Sequence, residues 1–184
     1  LKEEGAIGPI RQISLIGPII LRPSLPHEAE LFAKWEQDPD TAPHILPYSP
    51  DQHLSEMAKA NVRHLALLAP PGQHPVGFMI LIPDGPVLGL KRWVIGPKGR
   101  GYGLPSLRAL RLYAVQNGFT CLWLDVLADN KRARHVYEKA GFRVVDVLDF
   151  FGRPLLIYES CLMVGGGKEK ERGRETFAPG NCPI

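Results

Sequence analysis

Cysteine is scarce in this chain: Cys121, Cys161 and Cys182 are the only three, and no two are spaced Cys-x-x-Cys. So few thiols supply neither a disulfide framework nor a zinc ribbon. The six histidines are scattered without a His-x-x-x-His pair, so no metal is expected. No apolar run approaches the ~20 residues that cross a bilayer, and no membrane partner is expected. The opening Leu1-Lys2-Glu3-Glu4-Gly5 lacks the basic-then-apolar order of a secretory leader. The first residue is not Met, in keeping with a trimmed or unconventional start. A reducing cytoplasm is the expected location. Excess charge is also small, with 22 Lys and Arg against 19 Asp and Glu for a net +3. That balance suits an anionic small ligand and argues against nucleic acid as a partner.

What is present is ordinary for a folded domain. The 184 residues are 45% hydrophobic and 22% charged, which excludes intrinsic disorder, collagen and a coiled coil for the whole chain. Nineteen glycines and 18 prolines are dispersed and read as many tight turns. No internal repeat is present. Residues 1–14 read as a loose arm, 15–164 as a single domain and 165–184 as a flexible charged tail. The tail opens Gly165-Gly166-Gly167 and continues with alternating charges that have nothing to bury.

Within the domain the periodicity switches repeatedly. Ile19 to Leu21 is a short strand, and Pro26 starts a helix with Ala29, Phe32 and Ala33 at helical spacing. Ser49-Pro50-Asp51-Gln52 is a capping box opening a helix through Leu54, Met57 and Ala58. Leu65 to Leu68 and Val76 to Ile82 read as a hairpin turned by Pro70-Pro71-Gly72, and Val87 to Ile95 as the next strand. A helix follows from Leu104 to Asn117, stopped by Gly118, and then a strand from Phe119 to Leu127. Asn130 caps a helix that runs to about Ala140. Phe142 to Leu148 and Leu155 to Leu162 close the pattern as strands. Strands first, then strand–helix–strand–helix, indicate an α/β chain with a mixed, α+β type of sheet.

The most informative stretch is Lys98-Gly99-Arg100-Gly101-Tyr102-Gly103, between a strand and a helix. Three glycines let backbone approach a ligand and aim consecutive N–H groups from a helix N-terminus. Two cations add charge, and the combination favours phosphate or pyrophosphate. It is no P-loop, since no Gly-Lys-Ser/Thr follows, and Ser106 breaks a Gly-x-Gly-x-x-Gly match. On these residues alone an ordinary glycine-rich turn is an equal reading.

A second segment lies one helix and one strand downstream: Asn130-x-x-Ala133-x-x-x-Tyr137-Glu138-Lys139-x-Gly141-Phe142. With both segments in order, the chain resembles the GNAT superfamily of acyl-CoA-dependent N-acyltransferases. The glycine turn is similar to the family's Arg/Gln-x-x-Gly-x-Gly/Ala pyrophosphate loop, and the second segment to its later helix and strand. The resemblance covers about residues 19–163. It implies a fold of about seven strands and about four helices, splayed between strands four and five, with acetyl-CoA as co-substrate. Backbone around Trp93, Val94 and Ile95 would then bind the pantetheine arm as an added strand and hold the oxyanion. Lys98, Gly99, Arg100, Gly101, Tyr102, Gly103 and Leu104 would cradle the pyrophosphate. Asn130 would touch the cofactor arm, cap its helix, or do both. Two positions depart from the family: Lys98 stands for Arg or Gln and loses bidentate geometry, and Gly89 stands where many members carry a base-like acid.

Acyl transfer to an amine needs a neutral amine, a stabilised oxyanion and a protonated leaving thiolate. Asp125 is the only charge in Cys121-Leu122-Trp123-Leu124-Asp125-Val126-Leu127. Burial there would raise its pKa toward that of a base. In the superfamily's protein N-terminal acetyltransferases the matching position carries a base-like Glu. An acid satisfied by a neighbour is the other reading of Asp125. Tyr137 shares the inner face of its helix with Ala133 and Ala140. The family position makes it the general acid for the CoA sulfur; otherwise it is core. Residues 26–61, with His27, Trp35, His44, Tyr48 and His53, would roof the acceptor site. The expected activity is N-acetylation of a peptide N-terminus or a small-molecule amine, with a homodimer open. The alternative is a silent acyl-CoA-binding or ribosome-associated module of the same fold.

Overall fold

Continuous apolar runs in the second and third strands, Leu65 to Leu67 and Phe78 to Leu81, bury both faces of the middle of one sheet, and helices cover each face there. The computed structural model describes residues 18–162 apart from Gln73. The arm 1–14 and the tail 165–184 lie outside the described residues. The elements are β1 (Ile20–Pro23), α1 (Ala29–Glu36), α2 (Pro50–Ala58), β2 (Arg63–Leu68), β3 (Pro75–Asp84) and β4 (Val87–Ile95), then α3 (Gly103–Gln116), β5 (Cys121–Leu127), α4 (Lys131–Lys139), β6 (Arg143–Phe150) and β7 (Arg153–Cys161). The sheet order is β1-β2-β3-β4-β5-β7-β6. Every pairing is antiparallel except β4 with β5.

Leu65 and Leu67 of β2 and Met79 and Leu81 of β3 point to one face, where Leu107, Leu110 and Ala114 of α3 and Tyr137 of α4 cover them. The intervening Ala66, Phe78 and Ile80 point to the other face, beneath Phe32 of α1 and Met57 of α2. Phe32 is wholly buried, with its ring centroid 4.8 Å from that of Phe78. Truncating such a ring to alanine costs about 3–5 kcal/mol, so this contact fixes where α1 sits. The expected capping box holds α2: Gln52 N donates to Ser49 Oγ at 3.2 Å, and Ser49 N donates to Gln52 Oε1 at 2.8 Å.

Two irregularities shape the middle of the sheet. Ile80 opposes Arg92 but Leu81 opposes Leu90, so Lys91 is one residue extra and makes a bulge in β4. The bulge sends both cations to the α1–α2 face, where Lys91 Nζ lies 3.2 Å from Glu56 Oε1 and Arg92 Nη1 lies 2.8 Å from Glu36 Oε2. Just before it the β4–β5 ladder ends. Val87, Leu88 and Gly89 pair with Cys121, Leu122 and Trp123, and the strands then separate. The expected splay between strands four and five is therefore present, and the described residues form seven strands and four α-helices, as expected.

Candidate active site

Where β4 and β5 part, a cleft of about 500 Å³ opens. Its walls are the segment before α2 (Asp40, Thr41, His44, Ile45), the far half of β4, the glycine turn, and α4. All the site residues expected from sequence line this one cleft: Trp93, Val94, Ile95, the run Lys98 to Leu104, Asp125, Asn130 and Tyr137. Sequence separation hides this meeting, because only the pairing of β4 with β5 brings residues 93–104 beside 125–137.

The glycine turn is built by its backbone. Gly99 and Gly101 have φ of +74° and +77°, in the left-handed region that L side chains rarely adopt. At Gly103 the constraint is contact instead, since a Cβ there would lie 3.3 Å from Val136 Cγ1 of α4. The turn thus delivers its chain closely packed into the first turn of α3, a geometry suited to anions. Lys98 Nζ donates to Thr41 Oγ1 at 2.7 Å. Burial draws the Lys98 pKa down, and the Asp38 carboxylate nearby works against that pull. Thr41 is buried at the foot of the opposite wall, a partner that no sequence spacing signals.

Three further contacts cross the cleft mouth or close around it. Arg132 Nη1 of α4 lies 3.8 Å from Asp40 Oδ2, and His44 Nδ1 faces Asp129 Oδ1 at 3.7 Å. Asn130 caps α4, its Oδ1 accepting from Ala133 N at 3.1 Å. The cap therefore uses the side-chain oxygen and leaves the amide nitrogen outside it.

Tyr137 is 6% exposed, its ring 5.4 Å from that of Trp93. Burial first, and the Asp125 charge second, raise its phenol pKa above the ordinary value. It keeps its proton at neutral pH and so has an O–H to donate. Asp125 corrects an expectation. Leu122, Leu124 and Val126 fill the buried face of β5, whereas Asp125 projects from the other face and is half-buried. An alternating strand protects only one face, so the apolar context of Asp125 does not bury it fully.

Gly89 also has a physical reason. A Cβ there would lie 2.8 Å from Trp123 Nε1, so the Trp123 indole fills the space where an acid on β4 would project. Trp123 and Asp125 share one face of β5. The acidic group facing the splay is thus on β5, two residues beyond the indole.

The candidate roof residues divide. Trp35 packs with Phe32 in the α1–α2 core, and Gly96 approaches it so closely that a Cβ would clash. His53 is wholly buried, its Nδ1 3.0 Å from His64 Nε2, while His64 Nδ1 lies 2.8 Å from Ser24 Oγ. His53 is a core group, not an acceptor ligand. His44 does line the cleft. Arg92 and Glu36, which sequence reasoning missed, grip the roof from below. Arg92 Nη1 donates to Leu46 O at 3.0 Å, its guanidinium stacks 3.6 Å over the Tyr48 ring, and Glu36 Oε2 accepts from Tyr48 N.

Comparison with known proteins supplies the family. Residues 19–143 match the family described as acetyltransferase (GNAT) domain. No curated protein sequence gives a significant match. Among solved structures, a spermidine N-acetyltransferase from Vibrio cholerae in complex with CoA and spermine superposes with a TM-score of 0.68 at 16% identity, over 78% of this chain and 95% of that one. An aminoglycoside acetyltransferase in complex with coenzyme A gives 0.65 at 20%, over 78% and 94%. The ribosomal-protein-S18-alanine N-acetyltransferase from Escherichia coli gives 0.64 at 16%, over 83% and 99%. These likenesses establish the shared fold. With a match over most of the chain, a parting of β4 from β5 and a glycine turn at the head of α3, the chain belongs to the GNAT acetyltransferase family and is an acetyl-CoA-dependent acyltransferase.

Proposed function

We propose that the chain transfers the acetyl group of acetyl-CoA to the primary amine of a small molecule or a peptide N-terminus, by direct attack. The observation that carries this reading is that Tyr137 and Asp125 both line the cleft where β4 leaves β5. Residues 98–104 offer backbone N–H groups and two cations to a pyrophosphate. The stretch Trp93–Ile95 has lost β5 as a neighbour, which leaves that edge of β4 for a pantetheine amide and an N–H for the oxyanion.

A free alkyl amine is mainly protonated at neutral pH, so a proton must leave before attack. Asp125 is the group in the cleft suited to take it, directly or through water. Tyr137, held neutral, donates a hydrogen bond from its hydroxyl to the departing sulfur. Thiol release from acetyl-CoA across a panel of small amines and peptides tests the proposal. Asp125→Asn should lower kcat with little change in the KM for acetyl-CoA, and the loss should shrink at high pH, where more amine is neutral. A cytoplasmic setting is part of the same reading.

One observation favours a second reading, a silent acyl-CoA-binding module: the Trp123 indole fills the place of the β4 acid. CoA binding without thiol release on any acceptor would establish it.

A further inference from the structure

Two of the three cysteines, 40 residues apart in sequence, are brought directly opposite each other. Cys121 opens β5, Cys161 ends β7, and they are register partners. Their sulfurs lie 4.0 Å apart. The next pair outward fixes the kind of opposition. Leu162 N donates to Thr120 O at 2.8 Å, so Thr120 and Leu162 form a hydrogen-bonded pair. Bonded and non-bonded pairs alternate in an antiparallel ladder, which makes Cys121–Cys161 a non-bonded pair. Such pairs bring their Cα atoms to about 4.5 Å, and a disulfide accepts about 4.4–6.8 Å. Closing the remaining distance between the sulfurs needs side-chain rotation and no change of register.

We propose that Cys121 and Cys161 are a reversible thiol–disulfide site, oxidised by a low-molecular-weight disulfide. The two sulfurs have unequal tasks. Cys161 is exposed and within reach of a reagent, whereas Cys121 is half-buried. Burial, with Cys161 and Glu159 beside it, pushes the Cys121 thiol up to about 12. Cys161 is therefore the attacking group and Cys121 the resolving one. The Cys161 thiolate attacks one sulfur of the reagent RSSR, forming a mixed disulfide and expelling RS⁻, which takes up a proton. Cys121 then loses its proton and attacks the Cys161 sulfur, expelling the second RS⁻. The protein gives up two protons and two electrons, and the reagent leaves as two RSH.

The test uses the full chain with Cys182→Ser, held native with oxidised glutathione and analysed by peptide mass spectrometry. The expected product has lost both thiols, contains a peptide joining positions 121 and 161, and reverts with dithiothreitol. With Cys121→Ser added, the reaction should stop at a glutathione adduct on Cys161. With Cys161→Ser added instead, modification should slow at least about tenfold, because burial still holds the remaining thiol protonated and less accessible to the reagent. A glutathione adduct that persists on Cys161 while Cys121 is present would overturn the proposal. So would equal rates in the Cys161→Ser chain, or no cross-link in a chain whose Cys161 still reacts with iodoacetamide.

Discussion

The Lys98 ammonium stands 2.7 Å from the Thr41 hydroxyl, so the glycine turn is tied to the cleft wall that precedes α2. A lysine is a point charge on a flexible stem and, unlike arginine, cannot fix its own direction toward a phosphate. In the proposed cofactor site the threonine would supply the missing constraint from another part of the chain.

The measurable consequence lies in cofactor affinity. Thr41→Val keeps the shape and removes the acceptor. It should weaken CoA binding roughly five-fold, the scale of one charge-assisted hydrogen bond discounted for partial exposure. Thr41→Ser should restore the affinity, and Thr41→Val should add little to Lys98→Met. Calorimetric titration with CoA checks all three, and wild-type affinity in Thr41→Val would refute the role.

Gly89 and Trp123 make a second pair whose fit can be probed. Gly89→Ala puts a methyl where the indole lies, so Trp123 must swing or the strands must move apart. Overpacking of this kind costs about 1–3 kcal/mol. Thermal melts should show the loss, and the difference in tryptophan emission between the Gly89→Ala protein and its Trp123→Phe double variant should change. A native melt with unaltered emission would mean that the glycine is not required for packing.

Much of this fold is legible in the sequence because its signals are local. The Ser49 to Gln52 capping box, the stops at Gly118 and Gly141 and the two-residue alternation of β5 each determine an element without reference to anything distant. Of the candidate site, the glycine turn and the Asn130–Tyr137 helix are legible for the same reason. Illegible are the features created by pairing. The bulge at Lys91 depends on the register of β3, the Thr41 contact on how the α1–α2 connection crosses the cleft, and the Cys121–Cys161 opposition on β7 inserting between β5 and β6. His53 is instructive in the same way: at the sequence level it belongs to an aromatic-rich roof, but α1 and the sheet enclose it completely.

That enclosure predicts an acid limit to stability. Burial lowers the His53 pKa to about 3 and the His64 pKa to about 4. Unfolded histidines titrate near 6.5, so between about pH 6.5 and 4 the unfolded chain binds more protons than the folded one. Stability therefore falls as pH falls through that window, on the order of several kcal/mol, and the histidine contribution levels off below the folded values. Melting temperatures from pH 7 to pH 4 should drop, and less steeply in His53→Gln, which keeps hydrogen-bonding groups but does not titrate. Parallel profiles for the two proteins would exclude His53 as a source.

Tyr137 separates chemistry from packing. Phenylalanine keeps the ring against Trp93, Phe142 and Tyr158, so Tyr137→Phe should leave the melting temperature and CoA affinity nearly unchanged. The rate should respond differently. General acids typically contribute about 10²–10⁴-fold, but burial and Asp125 make this phenol hold its proton more tightly than usual. A thiol ionises near 8.5, so full proton transfer from Tyr137 to the departing thiolate is uphill. On the proposed reading the hydroxyl instead stabilises the developing charge by hydrogen bonding, and the loss in kcat should be roughly tenfold, the scale of one hydrogen bond of ~1.5 kcal/mol to a charged group. Because the phenol stays neutral, kcat should show no falling limb from Tyr137 ionisation below about pH 10. An acyl donor with a more acidic thiol needs less help and should recover part of the lost rate. Undiminished kcat in Tyr137→Phe, where chemistry limits turnover, would make Tyr137 a packing residue alone.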